Sequence, residues 1–156
     1  MQNEDSRSGK AKLLPLPIGN SDWAEVRSEY WSADKTQLIA ELLDRKTSVA
    51  LFTRPRRFGK TTAMEMIKSF FEKTGAGNAQ MFEGTKVWQN PEYREEQGKY
   101  PVIFVTFKDA KGGDWNDVCR NIAASMRAEF KRHRSSFEDP SCDKDAVSLF
   151  DDILDR

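Results

Sequence analysis

The sequence predicts a three-layer α/β domain built around a parallel sheet. Two observations carry this prediction: helical and strand-like segments alternate along the chain, and the strand-like segments are short, continuous apolar runs typical of strands buried on both faces. The 156 residues suffice for one ordinary domain. Because only two such strands are evident, we expect the sheet to be incomplete and the chain to be the N-terminal part of a longer protein or a natural truncation.

The segment before the first strand is predicted to contain two helices. The first falls within residues 20–30, with Asn20 or Ser21 as its N-cap. The second covers residues 34–45, with Asp34 as its N-cap and an apolar stripe of Leu38, Ile39, Leu42 and Leu43. Residues 1–12 are polar and are predicted to form a disordered tail, which leaves residues 13–156 for the domain.

Beyond these helices, we expect a strand at residues 48–52 and a helix at residues 60–73 that ends in the glycine-containing segment 74–77. Residues 78–100 are predicted to be irregular, with one helical turn. The second strand, "YPVIFVTF", covers residues 100–107. Asp114 is the expected N-cap of a long helix that ends near the basic residues 131–134, and a last amphipathic helix occupies residues 146–156.

The segment "RPRRFGKTT", residues 54–62, lies between the first predicted strand and the helix that follows it. Phosphate-binding loops follow the pattern G-x-x-x-x-G-K-[ST], and Gly59-Lys60-Thr61 matches the end of this pattern. Arg54 occupies the position of the first glycine. Pro55 biases Arg54 toward an extended conformation. We therefore expect the loop to begin extended and to curl only at Arg57-Phe58-Gly59.

A phosphate-binding loop directs backbone N–H groups and the N-terminus of the following helix at phosphate oxygens. In this pattern Lys60 would reach the β- and γ-phosphates of ATP, and the Thr61 hydroxyl would ligate Mg²⁺. The whole loop is predicted to bind the nucleotide: Arg54, Pro55, Arg56, Arg57, Phe58, Gly59, Lys60, Thr61 and Thr62. No catalytic residue is assigned.

Local charge supports an anion site. The chain carries 25 basic and 25 acidic residues, so its formal net charge is zero. Residues 45–64 nevertheless contain six basic residues and no acidic one. This concentration of positive charge at the start of a helix favours an anionic ligand, and arginine forms forked hydrogen bonds with phosphate.

Four separated elements occur in an order that resembles the AAA-ATPase-like family of P-loop NTPases: "LPIG" (16–19), "DKT" (34–36), "TRPRRFGKT" (53–61) and "YPVIFVTFKDAKGGDW" (100–115). The resemblance covers residues 14 to about 154. It implies that arginine at position 54 is usual and that the loop is a variant Walker A element. It also implies a later Walker B strand ending in Asp-Glu and, in many members, a C-terminal nuclease-like domain, neither of which occurs in this sequence.

The leading functional hypothesis is thus an ATP-binding domain with doubtful hydrolysis, which would become an ATPase if a Walker B segment completed it. Asp109, after the second strand, is a weak candidate for a magnesium-binding carboxylate and is more typical of a turn. The alternative is a non-catalytic module that binds nucleic acid or an acidic protein surface through the basic loop 54–60. A third hypothesis is a marginally folded, truncated pseudo-domain. The partners considered are further copies of the chain in a homo-oligomer and a missing C-terminal domain.

Three further expectations concern single residues. Asp34, Lys35 and Thr36 either shape the base or ribose side of a nucleotide pocket or form a helix cap with a solvated lysine. His133, the single histidine, is expected to be a solvent-exposed cation at a helix C-terminus. Trp88 and Trp115 are expected in the core.

Cysteine content and hydropathy indicate the compartment. Cys119 and Cys142 are interpreted as free thiols in a reducing compartment, with Cys119 on an apolar helix stripe as a small core residue. No apolar run reaches the ~18 residues of a membrane span. We therefore expect a cytoplasmic protein without a membrane partner.

Overall fold

The computed structural model describes residues 13–73, 77–108, 110–137 and 143–155. The chain divides into two compact units, one ending at Gly98 and the other beginning at Lys99. Within the described residues, helices account for 55 % and strand for 2 %. The architecture is therefore helical.

Residues 13–73 and 77–98 of the first unit form five α-helices. They are α1 (Trp23–Glu29), α2 (Gln37–Arg45), α3 (Lys60–Phe71), α4 (Lys86–Gln89) and α5 (Pro91–Glu95), with a 3-10 helix, Asn78–Phe82, between α3 and α4. Asp22 caps α1, since its carboxylate accepts a hydrogen bond from the Glu25 N–H at 3.1 Å. Asn90 caps α5 in the same way by accepting from the Glu92 N–H at 3.0 Å.

One apolar cluster holds this unit together. Its buried members come from α1, α2, α3, the 3-10 helix and α4: Trp23, Ile39, Met66, Phe70, Phe82 and Val87. Phe70 is completely buried, and its ring meets those of Phe71 and Phe82 edge-on, each at a centroid distance of 5.1 Å. Such edge-to-face pairs add to the free energy of burial, so Phe70 is at the energetic centre of the unit.

Two long-range hydrogen-bonding contacts tie the helices of the first unit at its surface. The Arg27 guanidinium on α1 donates to the Met81 carbonyl at 3.0 Å and to the Glu83 carbonyl at 3.2 Å. The Tyr93 hydroxyl on α5 donates to the Asp44 carboxylate on α2 at 2.8 Å. Both contacts join segments that are about 50 residues apart in the chain.

The second unit is built on α6 (Trp115–Arg132) and α7 (Lys144–Asp155), with a 3-10 helix, Arg134–Phe137, between them. Asp114 caps α6 as expected and accepts from the Asp117 N–H at 2.8 Å. The buried Phe150 of α7 packs on Phe130 of α6 at a ring centroid distance of 5.4 Å. This aromatic contact joins the two helices.

Side chains of α6 bind the backbone of the extended segment that follows Tyr100. The Phe104 N–H donates to the Glu129 carboxylate at 2.7 Å, and the Arg132 guanidinium donates to the Val102 carbonyl at 3.0 Å. Nε2 of His133 lies 2.8 Å from the same carbonyl. His133 is thus half-buried and hydrogen-bonded, and the expectation that its side chain is exposed to solvent is wrong.

The predicted parallel sheet is absent from the residues that the structure describes, so the three-layer α/β prediction is wrong. Both predicted strands are mostly exposed: Val49 is 84 % exposed and Ile103 is 70 % exposed. A strand requires a second strand that accepts its N–H groups and donates to its carbonyls. The Val102–Phe104 backbone instead bonds to side chains of α6.

Several local expectations also need correction. Asp22, rather than Asn20 or Ser21, caps α1. Helix α3 ends at Phe71, before the glycine-containing segment. Trp88 packs against the core as expected. Trp115 is 75 % exposed, and Cys119 is an exposed free thiol, so neither is a core residue.

Three expectations lie outside the described residues: the tail at residues 1–12, Asp109 and Cys142. Among the helices that the described residues form, none combines the length and the apolar character that crossing a bilayer requires.

Replacement of Phe70 by alanine is expected to lower the free energy of unfolding by about 3–5 kcal/mol, because it leaves a cavity among rings that cannot fully collapse. Val49→Ala is the control, since Val49 is exposed, and it should change stability by less than about 0.5 kcal/mol. Urea unfolding followed by circular dichroism measures both. Equal losses would contradict the assignment of Phe70 to the core.

Candidate phosphate-binding site

The loop before α3 curls where the sequence predicts. Arg57 and Gly59 both have positive φ, 67° and 70°, and Arg54 and Pro55 precede them in a stretch without regular secondary structure. Glycine adopts this backbone conformation without the steric cost that a Cβ imposes, whereas arginine is strained there. The loop therefore turns sharply within three residues and leads directly into α3.

The N-terminus of α3 presents unused donors. Gly59 is its N-cap and has no side chain to accept a hydrogen bond. The first intrahelical bond runs from the Ala63 N–H to the Gly59 carbonyl at 2.9 Å. The N–H groups of Lys60, Thr61 and Thr62 therefore have no acceptor within the helix, and the first turn contains no acidic residue. Their partial positive charge favours an anion at this end.

Lys60 folds back across its own loop. Its ammonium donates to the Arg54 carbonyl and, at 3.1 Å, to the Pro55 carbonyl. These contacts connect the first turn of α3 to the start of the loop and hold the loop closed. They occupy two of the three ammonium protons and leave one for a further acceptor.

The loop side chains are open to solvent. Arg54, Arg56, Arg57, Lys60 and Thr61 are exposed, as are Pro55 and Phe58, while Gly59 and Thr62 are half-buried. Exposed guanidinium groups without a nearby carboxylate in the sequence form a field that attracts anions. The structure thus places all nine predicted loop residues around the start of α3, with the polar and basic ones accessible.

The Asp34-Lys35-Thr36 element forms a hydrogen-bonded junction between α2 and α4. One Asp34 carboxylate oxygen accepts from the Thr36 N–H at 2.8 Å and from the Thr36 hydroxyl at 2.7 Å. The other accepts from the Lys86 N–H at 2.8 Å. The Thr36 hydroxyl in turn accepts from the Val87 N–H at 3.1 Å. Thr36, rather than Asp34, occupies the N-cap position of α2.

The same hydrogen bonds set the acidity of Asp34. Partial burial raises its pKa, but the bonds from Thr36 and from the Lys86 N–H stabilise the carboxylate and outweigh that effect. The pKa of Asp34 therefore lies below its usual value. The charged carboxylate is the form that the folded junction favours.

Lys35 lies next to the loop, although it precedes Gly59 by 24 positions in the sequence. Its ammonium nitrogen is 3.5 Å from the position that a Cβ on Gly59 would occupy. The sequence gives a nucleotide pocket as one of two alternatives for the Asp34-Lys35-Thr36 element, and the structure places Lys35 beside the loop. Lys35 is not among the nine predicted loop residues and is added to them here.

The described residues contain no group of three or more histidine, cysteine, aspartate or glutamate side chains arranged to hold a metal ion. Thr61 presents an exposed hydroxyl in the first turn of α3. Since Mg²⁺ commonly keeps several waters and binds oxygens of a phosphate substrate, one hydroxyl at this position is compatible with a phosphate-bound ion.

Replacement of Asp34 by alanine is expected to lower the free energy of unfolding at pH 7 by about 1 kcal/mol, because it removes the acceptor of three hydrogen bonds from Thr36 and the Lys86 N–H. Because the folded-state pKa of Asp34 is depressed, its stabilisation is present above the ordinary value of 3.8 and is lost as the pH falls through the folded-state pKa. The difference between wild type and variant should therefore shrink in acid. Urea unfolding from pH 7 to pH 3 measures it.

The control is Glu41→Gln, which removes one exposed carboxylate from α2. It should leave stability at pH 7 within about 0.5 kcal/mol of wild type. A difference for Asp34→Ala that stays constant or grows in acid would rule out the charged carboxylate as the stabilising form.

The chain is similar in sequence to a known protein family and to a bacterial protein. A protein of Azotobacter chroococcum mcd 1, described as an uncharacterized protein in the vnfD 5′ region, is 31 % identical over 110 residues, which are 69 % of this chain and 20 % of that protein. The chain thus spans about a fifth of the length of this relative. No solved structure matches. The family profile described as Predicted AAA-ATPase matches residues 17–156, and the chain therefore belongs to this AAA-ATPase-like family.

Proposed function

We propose that the chain binds ATP together with Mg²⁺ through residues 54–62. One observation carries the proposal: in a member of a predicted AAA-ATPase family, a loop with two positive-φ residues delivers its Gly-Lys-Thr to the uncapped N-terminus of a 12-residue helix. Uncapped helix N-termini preceded by such loops bind phosphate in many nucleotide-binding proteins. The N–H groups of Lys60, Thr61 and Thr62 lie at this N-terminus without an acceptor inside the helix.

The roles of the side chains follow from their positions. The N–H groups of Lys60, Thr61 and Thr62 would donate to phosphate oxygens. The remaining proton of the Lys60 ammonium would donate to the terminal phosphates, and the exposed guanidinium groups of Arg56 and Arg57 would neutralise further charge. The Thr61 hydroxyl would ligate Mg²⁺, which screens the charge of the triphosphate.

The proposal concerns binding. In protein families that hydrolyse ATP, the loop positions the phosphates while separate groups orient the attacking water. The residues proposed here perform the first task only.

Isothermal titration calorimetry with ATP and Mg²⁺ tests the proposal. Wild type should bind, and Lys60→Ala should bind at least about tenfold more weakly, because a charge-assisted hydrogen bond to phosphate is lost. Thr61→Ala should reduce the contribution of Mg²⁺ to affinity. Lys73→Ala is the control: it removes one exposed lysine beyond the opposite end of α3 and should bind as wild type does.

Two results would sink the proposal. One is the absence of ATP binding by the folded wild-type chain; the other is equal affinity of wild type and Lys60→Ala. The nucleic-acid alternative would be favoured if the chain did not bind ATP but bound a single-stranded oligonucleotide tightly. That binding should weaken steeply as the salt concentration rises and should not require Mg²⁺.

A further inference from the structure

We propose that Lys35 is a second phosphate-contacting cation of this site, supplied to the loop from the D-K-T element before α2. The inference rests on the proposed function, since it assigns a further ligand-binding residue to the same nucleotide site. It takes the polyphosphate of ATP as the ligand.

The position of the Lys35 ammonium carries the inference. It lies 3.5 Å from where a Cβ on Gly59 would be, at the residue that caps α3 and immediately precedes Lys60. Gly59 has no side chain, so the ammonium approaches the backbone at the turn itself. A phosphate bound by the first N–H groups of α3 would lie next to this turn, within reach of a lysine side chain that has several rotatable bonds.

Lys35 also has free donors. Within residues 13–73 and 77–98, no hydrogen bond or ion pair engages its ammonium. Lys60 differs, since its ammonium already donates to the carbonyls of Arg54 and Pro55. The Lys35 ammonium thus has three unused protons beside a loop that contains no acidic residue. Both features favour the binding of an anionic ligand.

The carboxylate next to Lys35 in the sequence is engaged by other donors. Asp34 uses both of its oxygens in the junction, where they accept three hydrogen bonds from Thr36 and the Lys86 N–H. The completely buried Thr36 fixes the backbone on the other side of Lys35. The lysine therefore projects from a rigid, hydrogen-bonded stretch, which lowers the entropy that ligand binding would otherwise cost.

Calorimetry of ATP binding with Mg²⁺ in the Lys35→Gln variant tests the inference. We expect affinity about tenfold below wild type, the loss typical of one charged hydrogen bond. The matched control is Lys73→Gln, which makes the same substitution at an exposed lysine beyond the far end of α3. If Lys35→Gln binds as Lys73→Gln does while Lys60→Ala binds weakly, the inference is wrong and the proposed function stands. If wild type itself does not bind ATP, the proposed function has failed.

A second measurement avoids substitutions and so does not depend on the variant's folding. The wild-type protein is acetylated briefly with and without ATP and Mg²⁺, and modification of each lysine is quantified by mass spectrometry. Lys35 and Lys60 should be protected by ATP at least about threefold relative to Lys73, since an ammonium bonded to phosphate cannot act as the amine nucleophile. Protection of Lys60 alone would overturn the inference.

Discussion

The junction of Asp34 and Thr36 with the start of α4 is the constraint on which the candidate site depends. Thr36 is completely buried, and a buried hydroxyl or N–H without a partner costs about 1–3 kcal/mol. Here the Thr36 N–H and hydroxyl both donate to Asp34. Two further hydrogen bonds span about 50 residues: the Asp34 carboxylate accepts from the Lys86 N–H, and the Thr36 hydroxyl accepts from the Val87 N–H. These hydrogen bonds determine how α2 and α4 pack together. They therefore also determine where Lys35 lies relative to α3.

The loop before α3 shows how electrostatics and backbone geometry act together. Its positive-φ residues aim the helix N-terminus outward, and the Lys60 ammonium holds the loop closed through two carbonyls. Several basic side chains then surround a helix end whose first turn contains no acidic residue. Mutual repulsion among these cations is the cost of this arrangement, and a bound polyphosphate would remove it.

Extended segments show the limit of inference from hydrophobic pattern. Residues 48–52 and 101–107 have the composition of central strands, yet Val49 and Ile103 are largely exposed. An apolar, β-branched run indicates that a segment suits a sheet, but it does not specify the partner that would complete its hydrogen bonds. In the second unit, Glu129, Arg132 and His133 bind the Val102–Phe104 backbone instead.

The sequence by itself determined the features that depend on neighbouring residues. Helices α2, α3, α6 and α7 follow from apolar periodicity, the cap of α6 from Asp114, and the late curl of the loop from Pro55 and Gly59, because helix formation, capping and backbone angles are local. The family resemblance followed from ordered motifs. Only the tertiary structure decided that the apolar runs form no sheet within the described residues, that Trp115 is exposed and that Lys35 reaches Gly59. These outcomes depend on which distant groups pack and hydrogen-bond together, and one-dimensional spacing does not encode that choice.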